Sequence, residues 1–232
     1  MNRPDRTPLT RDRIIEAAIE MADRDGPTAL TMRRLGQALD VEAMSLYHHV
    51  NGREDLLEGM VARLVDHVEV PARSQLGPAD GWQAFLQHVA HDIRSLAVEH
   101  PNLFPLVATR PPAAPWLRPP LRSLRIVEAF LDGLVARGLP DEEAVRVYKV
   151  FTGFLLGHLL LEVAESGAGT APPEEPFDEG DAAVPNDDQR VSLDEYPTLV
   201  RLAEGLRTHD ASADFESALE SLLDRLDGEL SQ

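Results

Sequence analysis

The sequence predicts an all-α protein, with a three-helix unit of helix-turn-helix type at the N-terminus and a larger helical domain after it. Three observations carry this. Apolar residues recur at spacings of three and four, and no stretch rises to the two-residue alternation of a half-buried strand. Capping residues open the periodic segments, and Gly or Pro closes them. Near the N-terminus, two short periodic segments are joined by Asp40-Val41-Glu42 alone, which leaves room for a tight corner.

In chain order, residues 1–8 read as a flexible arm. A first helix is expected over residues 10–25. Thr10 caps it, Leu9 and Ile14 form a hydrophobic staple, Ile14, Ala18, Met21 and Ala22 make its inner stripe, and Gly26-Pro27 stops it. Thr31 caps a second helix in which Leu35 and Leu39 lie one turn apart; Asp40 can adopt the left-handed backbone that ends it. A third helix over residues 43–50 turns Leu46 and Val50 inward with Val41. That leaves Ala43, Met44, Ser45, Tyr47, His48 and His49 outside, an uneven mixture of small, aromatic and imidazole groups suited to contact. Asn51, with Glu54 three residues on, is expected to cap a connecting helix over residues 52–68, whose broad face is Leu56, Leu57, Met60, Leu64 and Val65. Arg53 falls in its first turn, where a cation opposes the helix dipole; a phosphate would account for it.

Residues 70–79 form a Pro- and Gly-containing connection. Asp80 then caps a helix with Trp82, Phe85, Leu86, Val89, Ile93 and Leu96 inside, ending before Pro101. A short helix near residues 102–108 precedes the proline-rich RPPAAPWLRPP, which reads as a loop. Long helices over residues 121–137 and 141–165 are separated by Gly138-Leu139-Pro140, and a last helix covers residues 214–230. Between them, residues 166–192 are small, Pro-containing and acidic, the composition of a mobile loop. From Val150 to Val163 the 141–165 helix is apolar all round, and the last helix shows Phe215, Leu219, Leu222, Leu223 and Leu226 on one face. Both need a cover, so a homodimer through residues 148–165 and 214–230 is expected, as a four-helix bundle. The domain expectations are therefore 1–51 for the helix-turn-helix unit, 52–69 for the connecting helix, and 70–232 for the larger helical domain with its dimer faces.

Charge divides along the chain. The net charge of −18 is poorly suited to DNA. Residues 1–63 hold 9 Arg against 11 acids, a net of −2, so −16 belongs to the rest. Arg3, Arg6, Arg11 and Arg13 cluster at the start, and Arg33, Arg34 and Arg53 surround the corner. The chain has no cysteine, which excludes disulfides and thiolate metal sites. A polar N-terminus without an apolar run suggests no signal peptide, and the Val150–Leu161 apolar stretch is short for a membrane span. A cytoplasmic protein without membrane attachment is expected.

Residues 31–53, TMRRLGQALDVEAMSLYHHVNGR, resemble the helix-turn-helix of the TetR family. The family's core and contact pattern falls on Leu35, Val41, Leu46, Tyr47, His49 and Arg53, and the L-Y-x-H spacing is fairly specific. The segment from Trp82 to Pro111 is similar to the tetracycline-repressor branch, in its W-Q-x-F-L start, Arg94, His100 and Thr109-Arg110-Pro111 end; the similarity runs over about residues 8–165. The resemblance implies a dimeric, ligand-responsive repressor that places its second short helix in the DNA major groove. Arg33, Ser45 and His48 are then candidates for base edges, with Ala43 and Met44 beside them, while Tyr47, His49 and Arg53 suit phosphates. Ala43 and Met44 replace longer or more rigid residues of the branch, so the operator sequence should differ.

Candidates for an effector site are Val89, Ile93, Leu106, Arg110, Phe130, Phe151, Phe154 and His158, on inner helix faces. Val89 and Ile93 stand where the branch holds its drug with an asparagine and an aromatic, and Leu106 stands where it has a magnesium-binding histidine; Glu162 is one residue out of register for the second-shell acid. No metal or other cofactor is therefore expected, and a small, fairly apolar effector is.

An enzyme reading finds little support. His88 and His91 could share a metal, but no E-x-x-H pair, HExxH, Gly-rich phosphate loop or nucleophile triad is present. The remaining alternative is a helical small-molecule carrier or adaptor without sequence-specific DNA binding.

Overall fold

The computed structural model describes residues 8–66, 68, 81–109, 123–168, 196–207 and 210–230. Among them are ten α-helices and no strand. The chain divides into residues 1–173 and 174–232.

In the first unit, α1 (Arg11–Asp25) begins where the hydroxyl of Thr10 accepts from the Arg13 amide at 3.2 Å. Its buried side is wider than the expected stripe, because Ile15 and Ile19 are inside with Ile14, Ala18, Met21 and Ala22. After α1 comes a 3-10 turn, Pro27–Ala29, then α2 (Met32–Ala38), capped by the Thr31 hydroxyl on the Arg34 amide at 3.2 Å. Asp40 takes the left-handed backbone, at φ 54°.

The third helix is shorter than the sequence suggests. α3 is Ala43–Leu46, and beyond it His48 N–H donates to Ser45 O and His49 N–H to Leu46 O, so the end winds tightly with i→i−3 bonds. α4 (Arg53–Asp66) also starts differently. Gly52, at φ 103°, turns the chain, and Asp55 rather than Glu54 accepts the Asn51 amide at 2.8 Å. Gly59 brings α4 close to α1; a Cβ there would lie 2.6 Å from Ile15 Cδ1.

Four further helices complete this unit: α5 (Trp82–Glu99), α6 (Phe104–Thr109), α7 (Leu124–Val135) and α8 (Asp141–Glu165). Gly81 is the α5 cap residue, and the expected Asp80 cap lies outside the described residues. Ser123 caps α7 through the Ile126 amide. The core is built on aromatic contact: the Phe130 ring lies 5.5 Å from Phe85, 5.6 Å from Tyr148 and 5.6 Å from Phe151. Phe85 fits against α7 because residue 133 is glycine, where a Cβ would be 2.5 Å from its ring. The 25-residue α8 is long and apolar enough to cross a membrane by length and composition. Its first turn, Asp141-Glu142-Glu143, and its buried face of Val147, Phe151, Leu155, Leu159 and Val163 are those of a core helix.

The second unit holds α9 (Pro197–Arg207), which the sequence reading did not anticipate, and α10 (Ala211–Leu230). α10 starts three residues before the expected Asp214, because the Asp210 carboxylate accepts the Ser212 and Ala213 amides at 3.1 Å each. Phe215, Leu219, Leu223 and Leu226 are buried, whereas Leu222 is half-buried. The arm over residues 1–7, the 70–79 connection, the proline-rich loop and residues 169–192 of the acidic loop lie outside the described residues.

Candidate functional site

The corner between α2 and α3 depends on Gly36, which the sequence reading passed over. A Cβ there would meet Val41 O at 3.0 Å and Ala43 N at 3.2 Å, both backbone atoms that cannot swing away. Val41 N–H donates to Gly36 O at 2.9 Å, which ties the second segment back onto the first. Leu35, Leu46 and Val50 are buried beneath, so the corner is held from below by packing and at its apex by backbone.

With those anchors inside, the outer side of α3 and the turn after it is exposed. Met44 is 71% exposed and Tyr47 48%, unusual for large apolar side chains; His48 and His49 are exposed, and Ala43 and Ser45 are half-buried. This is the surface expected from the sequence.

The arginines separate by partner. Arg11 pairs with Asp55, Arg24 with Asp25 at 3.1 Å, Arg63 with Glu16 at 2.6 Å, and Arg34 with Asp25 at 2.5 Å and with Ala29 O at 2.9 Å. Arg33 is exposed and has no partner among the described residues. Its guanidinium is therefore available to an external acceptor. Arg53 is half-buried, and Nη2 donates to Pro27 O at 3.2 Å, joining α4 to the 3-10 turn. Its adverse place against the dipole thus has an intramolecular cause.

Two carboxylates are held in their charged forms. The Asn51 amide and the Arg11 guanidinium keep Asp55 below its ordinary range, against a desolvation that pushes the other way. Arg24, then Arg34, does the same for Asp25.

In the helical core, Val89, Ile93, Leu106, Phe130 and Phe151 are buried together among α5 to α8. Arg110 lies outside the described residues. Phe154 and His158 depart from the expected inner face. Both are half-buried, with rings 5.7 Å apart along α8, whereas Phe151 is buried with its ring 5.6 Å from Phe130. Thr152, not anticipated as a polar core group, is buried, and its hydroxyl has no partner among the described residues. Glu162 forms a bidentate pair with Arg94, at 2.7 and 3.2 Å, which commits that carboxylate to bracing α8 against α5. His88 faces Asp92 at 3.3 Å and His91 meets its own helix at Gln87 O, 2.6 Å. No group of three metal-ligating side chains occurs among the described residues.

Residues 14–60, which contain this corner, match the model of bacterial regulatory proteins of the tetR family, and residues 76–228 match the tetracyclin repressor-like C-terminal domain. The chain belongs to the TetR family. Among its TetR relatives, the HTH-type transcriptional repressor DrrR1 of Streptomyces coeruleorubidus is 32% identical over 97% of this chain and 81% of its own. The tetracycline repressor protein class E of Escherichia coli is 31% identical over 67% of this chain and 70% of its own. Among solved structures, ActR of Streptomyces coelicolor in complex with actinorhodin superposes with a TM-score of 0.70, at 27% identity, covering 97% of this chain and 100% of that one. This TetR protein is a ligand-responsive transcriptional repressor and not an enzyme.

Proposed function

We propose that the protein acts in the cytoplasm as a homodimer, binds a palindromic operator, and is released from it by a small, fairly apolar effector. The observation that carries the DNA-reading part is the availability of Arg33 on α2 together with the exposure of Met44, Tyr47, His48 and His49 on α3 and the turn after it. Arg33, Ser45 and His48 contact base edges, and Tyr47 and His49 contact phosphates. Arg53 positions α4 through Nη2 on Pro27 O, and its remaining N–H groups contact a phosphate. Residues 1–51 form the reading head, 52–69 the connection, and 70–232 the effector and dimerisation part.

The dimer reading rests on one face of α8. Val150, Gly153, Phe154, Gly157 and Leu161 run along one side of α8; Leu161 is 69% exposed, and a Cβ built on either glycine meets nothing within 4 Å. An apolar helix side with open glycines accommodates a second helix at close range. In the dimer, α8 and α10 of both subunits form a four-helix bundle, and the two α3 helices enter major grooves about 34 Å apart.

The effector reading rests on the residues around Phe130. Val89, Ile93, Leu106 and Phe151 are apolar, so binding selects for apolar surface, and Thr152 is the buried polar group for orientation. The ligand-bound ActR structure supports a fold of this kind taking a small molecule. Release requires that the effector prefer the state in which α4 is tilted, by ~1–3 kcal/mol of coupling.

The direct test is operator affinity of Arg33→Ala and Met44→Ala against a duplex selected with the unaltered protein. Both lose affinity while melting normally; unchanged affinity in both removes this face from DNA reading.

A further inference from the structure

Beside the packing of α4 on the core, a second link joins the reading head to it. Asp23, in the last turn of α1, is gripped by two side chains from the corner between α5 and α6. His100 Nδ1 lies 2.8 Å from Asp23 Oδ2, and Asn102 Nδ2 donates to Asp23 O at 2.9 Å. All three side chains are at least half withdrawn from water.

The corner itself is well placed to move with the core. His100 N–H closes α5 on Leu96 O, and His100 O accepts the Leu103 and Phe104 amides that start α6. One residue therefore ends one core helix, begins the next, and touches α1. Leu106, a candidate effector residue, lies on α6 a turn and a half beyond. A polar bridge from α4 to α7, Asp66 to Arg125 at 3.0 Å, is exposed at both ends and is worth little.

The grip is also incomplete. Asp23 Oδ1 is buried and has no hydrogen-bond partner among the described residues, so the closed contact carries a desolvation cost that opening would relieve. A contact with that balance can be tipped by a small shift of the corner.

We propose that His100 and Asn102 are positioning residues for operator binding: together they clamp Asp23 and fix the angle between reading head and core, and movement of the α5–α6 corner releases the clamp. The proposal deepens the dimeric repressor reading and rests on it for its effect on the operator. No step in it passes through α4.

The test uses the full chain in two measurements. The chain has no cysteine, so Glu20→Cys on α1 and Glu128→Cys on α7 give two unique, exposed dye positions within one subunit. With the clamp intact, single-molecule energy transfer between them gives one narrow distance distribution. His100→Ala with Asn102→Ala broadens it, and His100→Asn, which keeps a donor near the Nδ1 position, restores it. In selection from random duplexes, the alanine pair tolerates several half-site spacings and binds the preferred duplex about tenfold more weakly, within the range of ordinary allosteric coupling, whereas His100→Asn keeps one spacing. A narrow distribution and a single spacing in the alanine pair overturn the proposal, even if the melting temperature falls. A palindrome absent with the unaltered protein defeats the dimer reading instead, and the distance distribution then decides the clamp alone.

Discussion

Arg34 Nη2 lies 2.5 Å from Asp25 Oδ2, while Arg33, the residue before it, reaches no partner among the described residues. Two adjacent arginines on one short helix therefore do different work. Arg33→Ala should cost about 1–3 kcal/mol of operator affinity, the range of a lost side chain to base contact, with melting unchanged. Arg34→Ala should lower the melting temperature through lost contacts to Asp25 and Ala29 O, and weaken DNA binding less. Gel-shift titration and thermal unfolding of both variants check the division.

Gly36→Ala pits two effects against each other. Alanine in a helix is favoured over glycine by up to about 1 kcal/mol. The added methyl would press on Val41 O at 3.0 Å, and overpacking typically costs about 1–3 kcal/mol. The clash wins, so urea unfolding should show net destabilisation, with loss of DNA binding as the corner opens.

The helix start at Asp55 should show in acid. Its pKa is depressed in the folded protein below the ordinary 3.8, first by the Asn51 amide and then by Arg11. Such a group stabilises the fold fully above its unfolded pKa and loses that contribution as pH falls through the folded one. Asp55→Asn should thus be less stable than the unaltered protein at pH 7, and the difference should shrink below about pH 4. Urea midpoints across pH 7 to 2.5 measure it; a gap independent of pH contradicts it.

Leu161→Arg places a charge on the open side of α8, away from the buried face. If that side meets a second α8, sedimentation should show a monomer with its helical content retained, and operator affinity should fall by orders of magnitude. A dimer that persists would move the interface elsewhere.

The parts of this structure legible in the sequence are those decided within a few residues. Thr10 and Thr31 cap their own helices, Asp40 turns left-handed where the helix breaks, and α8 starts after Gly138-Leu139-Pro140 and stops at Ser166. Contacts across the chain were not legible. Asp55 is preferred to Glu54 because Arg11, 44 residues away, reaches it. The bond from Arg53 to Pro27 O, 26 residues away, has no local signal. Gly36 had a local signal, a glycine inside a short helix, but its reason is the backbone of Val41 and Ala43 folded over it. α9 had a local signal that was passed over, since Leu199, Leu202, Ala203 and Leu206 follow the i, i+3, i+4, i+7 spacing of an amphipathic helix.

Selection of bound sequences from a random duplex pool, with purified protein at moderate salt, tests the central claim most directly. Enrichment of a palindrome with half-sites about one helical turn apart is the expected result, lost in Arg33→Ala. Binding that enriches no sequence and merely fades as salt rises would reduce the DNA contact to phosphate attraction and contradict the reading.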